Sequence, residues 1–246
     1  MYGILKLAEK KQKKKVNIRK KDWLLFAWIG FIGYFISITC QFIGTKLSDA
    51  HTGSLVTSAT PAFMVIFAAL ILKEKLTARR LLSTIIATIG VIIVIGWDIE
   101  IGSYFIGTII LVGAAITWAL LSIYVKSASI QFSSLVITTY AIFFSLFFIT
   151  PFMIWELQTS SIGTVNTYVI LGVLYLGIVS TAGAFFLWNK GLELIDASIG
   201  SLFFFFQPIV GSLLGWLLLN ETLNSNFFIG GILIICSVLI TTFEKK

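Results

Sequence analysis

Histidine occurs once in this 246-residue sequence, cysteine twice and proline three times, and charged residues make up only 12% of it. The one histidine, His51, has no second ligand or base beside it, which leaves no support for a histidine metal site or a histidine-assisted nucleophile. Cys40 and Cys236 fall inside apolar runs without metal-ligand spacing, so neither a disulfide framework nor a zinc site is indicated. There is no Gly-rich loop of the Lys-Ser/Thr type for a nucleotide, and no acidic-ring or carbonyl-rich filter of a channel. No cofactor and no metal are therefore expected. Scarce charge beside 58% hydrophobic residues excludes a soluble domain, because too much apolar surface would face water.

What is present is a series of long apolar stretches. Runs of about 18 to 25 residues, broken by short polar segments, suit helices crossing roughly 30 Å of hydrocarbon, and the alternation of barrel strands is not seen. The expected fold class is all-α integral membrane, with eight transmembrane helices near 22–42, 49–72, 80–97, 104–125, 131–154, 167–188, 197–219 and 227–243. The formal net charge of +7 does not point to nucleic acid, since nine basic residues precede Asp22 and most others flank apolar runs. With eight spans, every basic residue except Lys46 falls on one face, which predicts cytoplasmic N- and C-termini. Residues 1–21 form a basic cytoplasmic segment without the cleavage site of a signal peptide.

One stretch is written twice. Pro61 to Leu76, PAFMVIFAALILKEKL, and Pro208 to Leu223, PIVGSLLGWLLLNETL, share a proline, an apolar run and a glutamate at an offset of 147 residues. At the same offset Gly30 matches Gly177, Gly44 matches Gly191, Asp49-Ala50 matches Asp196-Ala197, and Gly53-Ser54-Leu55 matches Gly200-Ser201-Leu202. Matches of this residue type at one register mark a duplicated module. The copies are displaced by five spans, an odd number, so they face opposite ways: inverted-topology repeats, as in secondary transporters with a midplane site. The division is 22–97 for the first repeat and 104–243 for the second, three spans plus five. The second copy has two spans, near 104–125 and 131–154, with no full counterpart in the first, which reads as lacking the first two spans of a five-plus-five architecture, with Tyr2 to Leu7 as the tail of the second of them. A partner supplying those spans, or a homodimer, is the expected complement.

The chain resembles the EamA-type branch of the drug/metabolite transporter superfamily. The resemblance is carried by Ala50 to Gly96, with mid-span Pro61 and terminal Glu74, and by Tyr175 to Ala182, Leu187-Trp188-Asn189, Ala197, Pro208 and Glu221, with Gly107 to Lys126 similar to the family's sixth span. It covers nearly everything after Lys21. It implies ten spans in two inverted halves, of which this sequence holds eight, a central cavity, and movement of small metabolites, often amino acids or related compounds and frequently outward. The expected setting is the plasma membrane.

Four groups within the spans, Tyr34, Trp118, Tyr175 and Gln207, are the candidate substrate pathway, drawn from a wider polar set that includes Asn189. Together such side chains can stack on and hydrogen-bond a small uncharged or zwitterionic solute; singly they serve as helix contacts or interfacial anchors. Pro61 and Pro208 are candidate hinges, the other reading being fixed kinks that shape packing. Glu74 and Glu221 end their apolar runs, either as interfacial charges that orient a helix end or as proton-coupling carboxylates. An intramembrane hydrolase would need a base for Ser54, and Ser201, its repeat counterpart, has Ser198 where His51 would stand, so no enzyme is expected. A regulatory or truncated membrane protein without transport of its own is the competing reading.

Overall fold

The computed structural model describes residues 2–3, 5–6, 18–48, 53, 56–95, 105–159, 163, 165–207, 210, 213, 217 and 225–242. The described residues after Arg19 fold into eight helices with no strand: α1 Lys20–Leu47, α2 Thr60–Ile71, α3 Ala78–Ile95, α4 Phe105–Ala128, α5 Ser134–Thr159, α6 Thr167–Leu194, α7 Ala197–Ser201 and α8 Ser225–Thr242. α7 runs on into a tight turn of 3-10 helix, Leu202–Phe205. Among the described residues α1, α4, α5 and α6 are long and apolar enough to cross a membrane.

The helix starts follow from the residues that meet their free amide groups. At α1 the Asp22 carboxylate accepts the Arg19 backbone N–H at 2.8 Å, and the Arg19 side chain folds back onto it. α3 begins after Thr77, whose hydroxyl accepts the Arg80 N–H, and α6 after Asn166, whose Oδ1 accepts the Val169 N–H at 3.0 Å. The second expected span is not one straight helix. The chain turns at Ser58-Ala59 and α2 opens with Pro61 in its first turn, where a missing N–H leaves no hydrogen bond unmade. Pro61 thus begins a helix instead of bending the interior of one. Proline does stand inside a helix at Pro151, in α5.

Two helices carry long π-helical stretches, Gly30–Ser37 in α1 and Tyr175–Gly183 in α6. Such stretches are rare and concentrate at functional sites. These two overlap at the 147-residue offset, so the duplication visible in the sequence is a duplication of backbone form as well.

The helices group into two compact units. Unit 1 is Met1–Phe35 with Tyr124–Leu194, and unit 2 is Ile36–Ile123 with Ile195–Lys246. In unit 1 the start of α1 packs on the first half of α5 through aromatic rings: Trp23 meets Tyr140 edge-on at 4.9 Å and Phe26 stacks on Tyr140 at 5.5 Å. Gly30 allows the backbones to close, because a Cβ there would lie 2.4 Å from the Ala141 carbonyl oxygen. Lipid tails are as apolar as these side chains, so close packing over small residues, more than removal of apolar surface from water, holds such a contact. In unit 2 α3 and α8 lie along each other and α7 packs on α2. The end of α1 meets α4 where Gly44 and Gly107 face each other's carbonyl oxygens.

Candidate functional site

In unit 1 the last part of α6 returns to the first half of α5 and brings a polar side chain into a fully buried place. Asn189 donates from Nδ2 to the Tyr34 hydroxyl and to Thr138 Oγ1, each at 2.8 Å. Thr138 in turn donates to the Ser134 carbonyl at 2.6 Å. Ser134 donates to the Asn189 carbonyl and to Glu193, and Lys190 closes the series with a 2.6 Å ion pair to Glu193. Phe185, one helical turn before Asn189, stacks on the Tyr34 ring at 4.7 Å and 5°. The result is a neutral hydrogen-bonding centre walled by aromatic faces, with its charged pair at the outer end. Such a centre can orient a small solute without requiring net charge on it.

Unit 2 holds the second polar cluster, at Glu74. The end of α2 turns through Lys73, which has a left-handed φ of 56°, and directs Glu74 toward the start of α7. The Glu74 carboxylate accepts the backbone N–H groups of Ala197 at 2.8 Å and Ser198 at 3.1 Å, together with the Ser198 hydroxyl. A carboxylate here meets both unpaired donors and the positive end of the helix dipole. Arg80 bridges Glu74 at 3.5 Å and Asp196 at 2.8 Å, so Asp196, which precedes α7, is occupied by arginine and leaves the capping to Glu74. This geometry suits fixing a helix end; all oxygens of Glu74 that could serve a solute are engaged.

The four candidate pathway residues divide two and two between the units. Tyr34 is the buried member of the Asn189 centre. Tyr175 lies in the same unit but is 60% exposed, at the first residue of the α6 π stretch. In unit 2 Trp118 stands edge-on to Phe204 at 6.5 Å, and Gln207 is exposed beyond the 3-10 turn. Pro208, Glu221, His51 and Ser54 lie outside the described residues. Among the described residues no group of histidine, cysteine or acidic side chains could hold a metal ion. Choosing by residue type favoured aromatic and amide groups equally; what separates Asn189 from Gln207 is burial, to which a hydroxyl-bearing α5 start, Ser134 with Thr138 and Thr139, is the sequence signal.

Comparison with known proteins agrees with this architecture. The model of the EamA-like transporter family matches residues 2–96 and 105–243. The permease-like protein YdzE of Bacillus subtilis strain 168 is 60% identical over 73 residues, which cover 30% of this chain and 94% of that one. The uncharacterized transporters YetK and YoaV of the same organism are 26% and 23% identical over 233 and 239 residues, covering 93% and 94% of this chain and 71% and 80% of theirs. A crystal structure with 19% sequence identity superposes with a TM-score of 0.77 over 92% of this chain and 77% of its own, a likeness of fold alone.

Proposed function

We propose that this chain, which belongs to the EamA-like transporter family, carries small metabolites, amino acids or related compounds, across the plasma membrane by a solute- or ion-gradient-driven mechanism, in the outward direction. Membrane transport is the activity its relatives are named for, and none of those cited bears an enzyme name. The observation that carries the reading is the duplicated helix with its matched π stretches, since repeats of opposite orientation are what alternating access requires. Tyr34 and Trp118 are assigned to the solute pathway with Tyr175 and Gln207, Pro61 and Pro208 to the helix breaks beside it, and Glu74 and Glu221 to the span ends. The distribution of basic residues supports cytoplasmic termini.

A protein partner belongs to the same reading. From residue 165 to residue 180, the first part of α6 is exposed on every side, which supports a homodimer or a second chain completing the bundle there. The competing reading, a regulatory membrane protein that moves nothing by itself, draws on the same exposure. Reconstituted vesicles decide between them. Loaded with unlabelled amino acids and given labelled ones outside, they are expected to accumulate label by counterflow; vesicles that take up none, with or without co-purified partner, remove the transport reading.

A further inference from the structure

Among the described residues of unit 1, one buried side-chain acceptor meets no donor. Asn189 is fully enclosed, both of its amide hydrogens are engaged, and its Oδ1 is unpartnered. Its orientation is fixed by its neighbours. Thr138 has a single hydroxyl proton and gives it to the Ser134 carbonyl, so toward Asn189 it can only accept. Nδ2 must therefore face Thr138 and Oδ1 must point away from it. An enclosed acceptor without a donor destabilises the state that holds it, and in a bilayer no water replaces the missing partner. A group of this kind calls for an explanation, and function is one.

The surroundings indicate what would satisfy it. Tyr34 accepts from Asn189, and its own hydroxyl proton reaches no acceptor among the described residues. A spare acceptor and a spare donor thus stand side by side. Among the described residues no ionised side chain bonds to either one, and the Glu193 carboxylate is taken by Ser134 and Lys190. The stacked faces of Tyr34 and Phe185 flank them. A divalent cation would find no carboxylate oxygen in this place, whereas an N–H group on a molecule without net charge would find an acceptor, a donor and aromatic walls. Tyr34 also lies within the π stretch Gly30–Ser37, and Asn189 follows the π stretch Tyr175–Gly183 by six residues, a placement typical of functional groups.

We propose that Asn189 Oδ1 accepts an N–H donor of the transported solute, a small zwitterionic or neutral molecule, while the Tyr34 hydroxyl donates to an acceptor on the same solute. The inference rests on the transport reading. The enclosed conformation described here is the one that leaves the acceptor unpaired, so engagement takes place in a second conformation, toward which the unpaired oxygen biases the protein.

Counterflow into vesicles containing the full chain tests this with glycine, alanine, leucine and phenylalanine, each beside its N-trimethyl betaine. The betaine keeps the zwitterion and removes every N–H. The wild type is expected to move at least one of the amino acids about tenfold better than its betaine, the equivalent of one well-made hydrogen bond. Tyr34→Phe/Asn189→Leu is expected to abolish that preference with no fall in melting temperature, because the orphan oxygen goes together with the Tyr34 hydroxyl, while Thr138 keeps its bond to the Ser134 carbonyl. If the double variant keeps the preference, or loses flux only in step with a lowered melting temperature, Asn189 is structural and the proposal is overturned while transport stands. Should the double variant fail to fold, Tyr34→Phe alone decides: amino-acid flux down about threefold or more at an unchanged melting temperature supports the proposal, and unchanged flux overturns it. If the wild type moves none of the four, both this proposal and the amino-acid reading fall.

Discussion

Gly30 in α1 and Gly177 in α6 stand at matched positions of the repeat, yet a Cβ at the first would lie 2.4 Å from the Ala141 carbonyl oxygen, while a Cβ at the second would meet nothing within 4 Å. The next matched pair behaves alike: Gly44 is closed in by Leu111 and Gly107, and Gly191 is open. Among the described residues α1 is seated by α5 at Gly30 and by α4 at Gly44, whereas α6 is held near its end, around Asn189. The two helices share their glycines and their π stretch, so those features are written in the chain itself. Packing is not. It depends on which neighbour arrives, and the first part of α6 keeps the small residues of α1 on a surface that is exposed among the described residues.

Substitution at the matched glycines breaks the comparison most sharply. Gly30→Leu forces its Cβ into a backbone carbonyl that cannot step aside, and is expected to cost at least about 3 kcal/mol, the upper part of the overpacking range. Gly177→Leu is expected to change the melting temperature of the purified protein negligibly, within about 0.5 kcal/mol. Equal losses at both sites would mean that a helix sits on α6 even in the isolated protein. At Gly44→Leu the nearest atom is a side-chain carbon of Leu111, with the Gly107 carbonyl 3.0 Å away, so a smaller loss of about 1–3 kcal/mol is expected, against none for Gly191→Leu. Thermal unfolding in a single detergent measures all four.

How much of this was legible in the sequence follows from what hydropathy and spacing report. Each of the eight apolar runs overlaps one of the eight helices found among the described residues, and four of these, α1, α4, α5 and α6, are long enough to cross roughly 30 Å. α5 and α6 outrun their expected ends, at Thr159 instead of 154 and Leu194 instead of 188, since polar residues such as Glu156 and Glu193 close an apolar run without ending a helix. The π stretches left no trace, because π and α helix differ in which carbonyl each amide chooses and not in residue type. Glu74 was legible as the end of a run, but its partners at Ala197 and Ser198 are more than 120 residues away and only tertiary structure pairs them. Tyr34 was recognised and Asn189 ranked below it, though the two share one hydrogen bond; burial, which no single residue type declares, makes the difference.

Glu74 offers a contrast of another kind, since α7 is fixed by a side chain from the turn after α2 where α1 and α6 are capped by their own neighbours in sequence. Glu74→Ala leaves the Ala197 and Ser198 amides without that acceptor and takes one of the two carboxylates that Arg80 bridges, for an expected loss of about 1–3 kcal/mol. Glu74→Gln keeps an oxygen for one amide but loses the charge at the helix end, and about half of that loss is expected. The same unfolding assay reads both. A Glu74→Gln variant with wild-type stability but altered transport would instead assign the carboxylate to coupling.

The smallest expected effect lies one residue earlier. Lys73 is the one non-glycine residue with positive φ among those described, and its side chain is exposed, so a replacement there changes backbone strain and little else. At the matched position of the second copy the sequence has Asn220, which lies outside the described residues. Asparagine enters the left-handed region more readily than lysine, because its short amide can bond to the local backbone. Placing the second copy's residue in the first, Lys73→Asn, is expected to raise stability by roughly 0.5 kcal/mol, and Lys73→Gly, which has no Cβ to strain, by about as much, its greater ease at this φ being offset by the freedom it adds to the unfolded chain. A rise for Lys73→Asn would show that the residue of the second copy suits the turn that aims Glu74. A fall would mean that the lysine is kept for contacts at the membrane surface that outweigh the strain of its backbone.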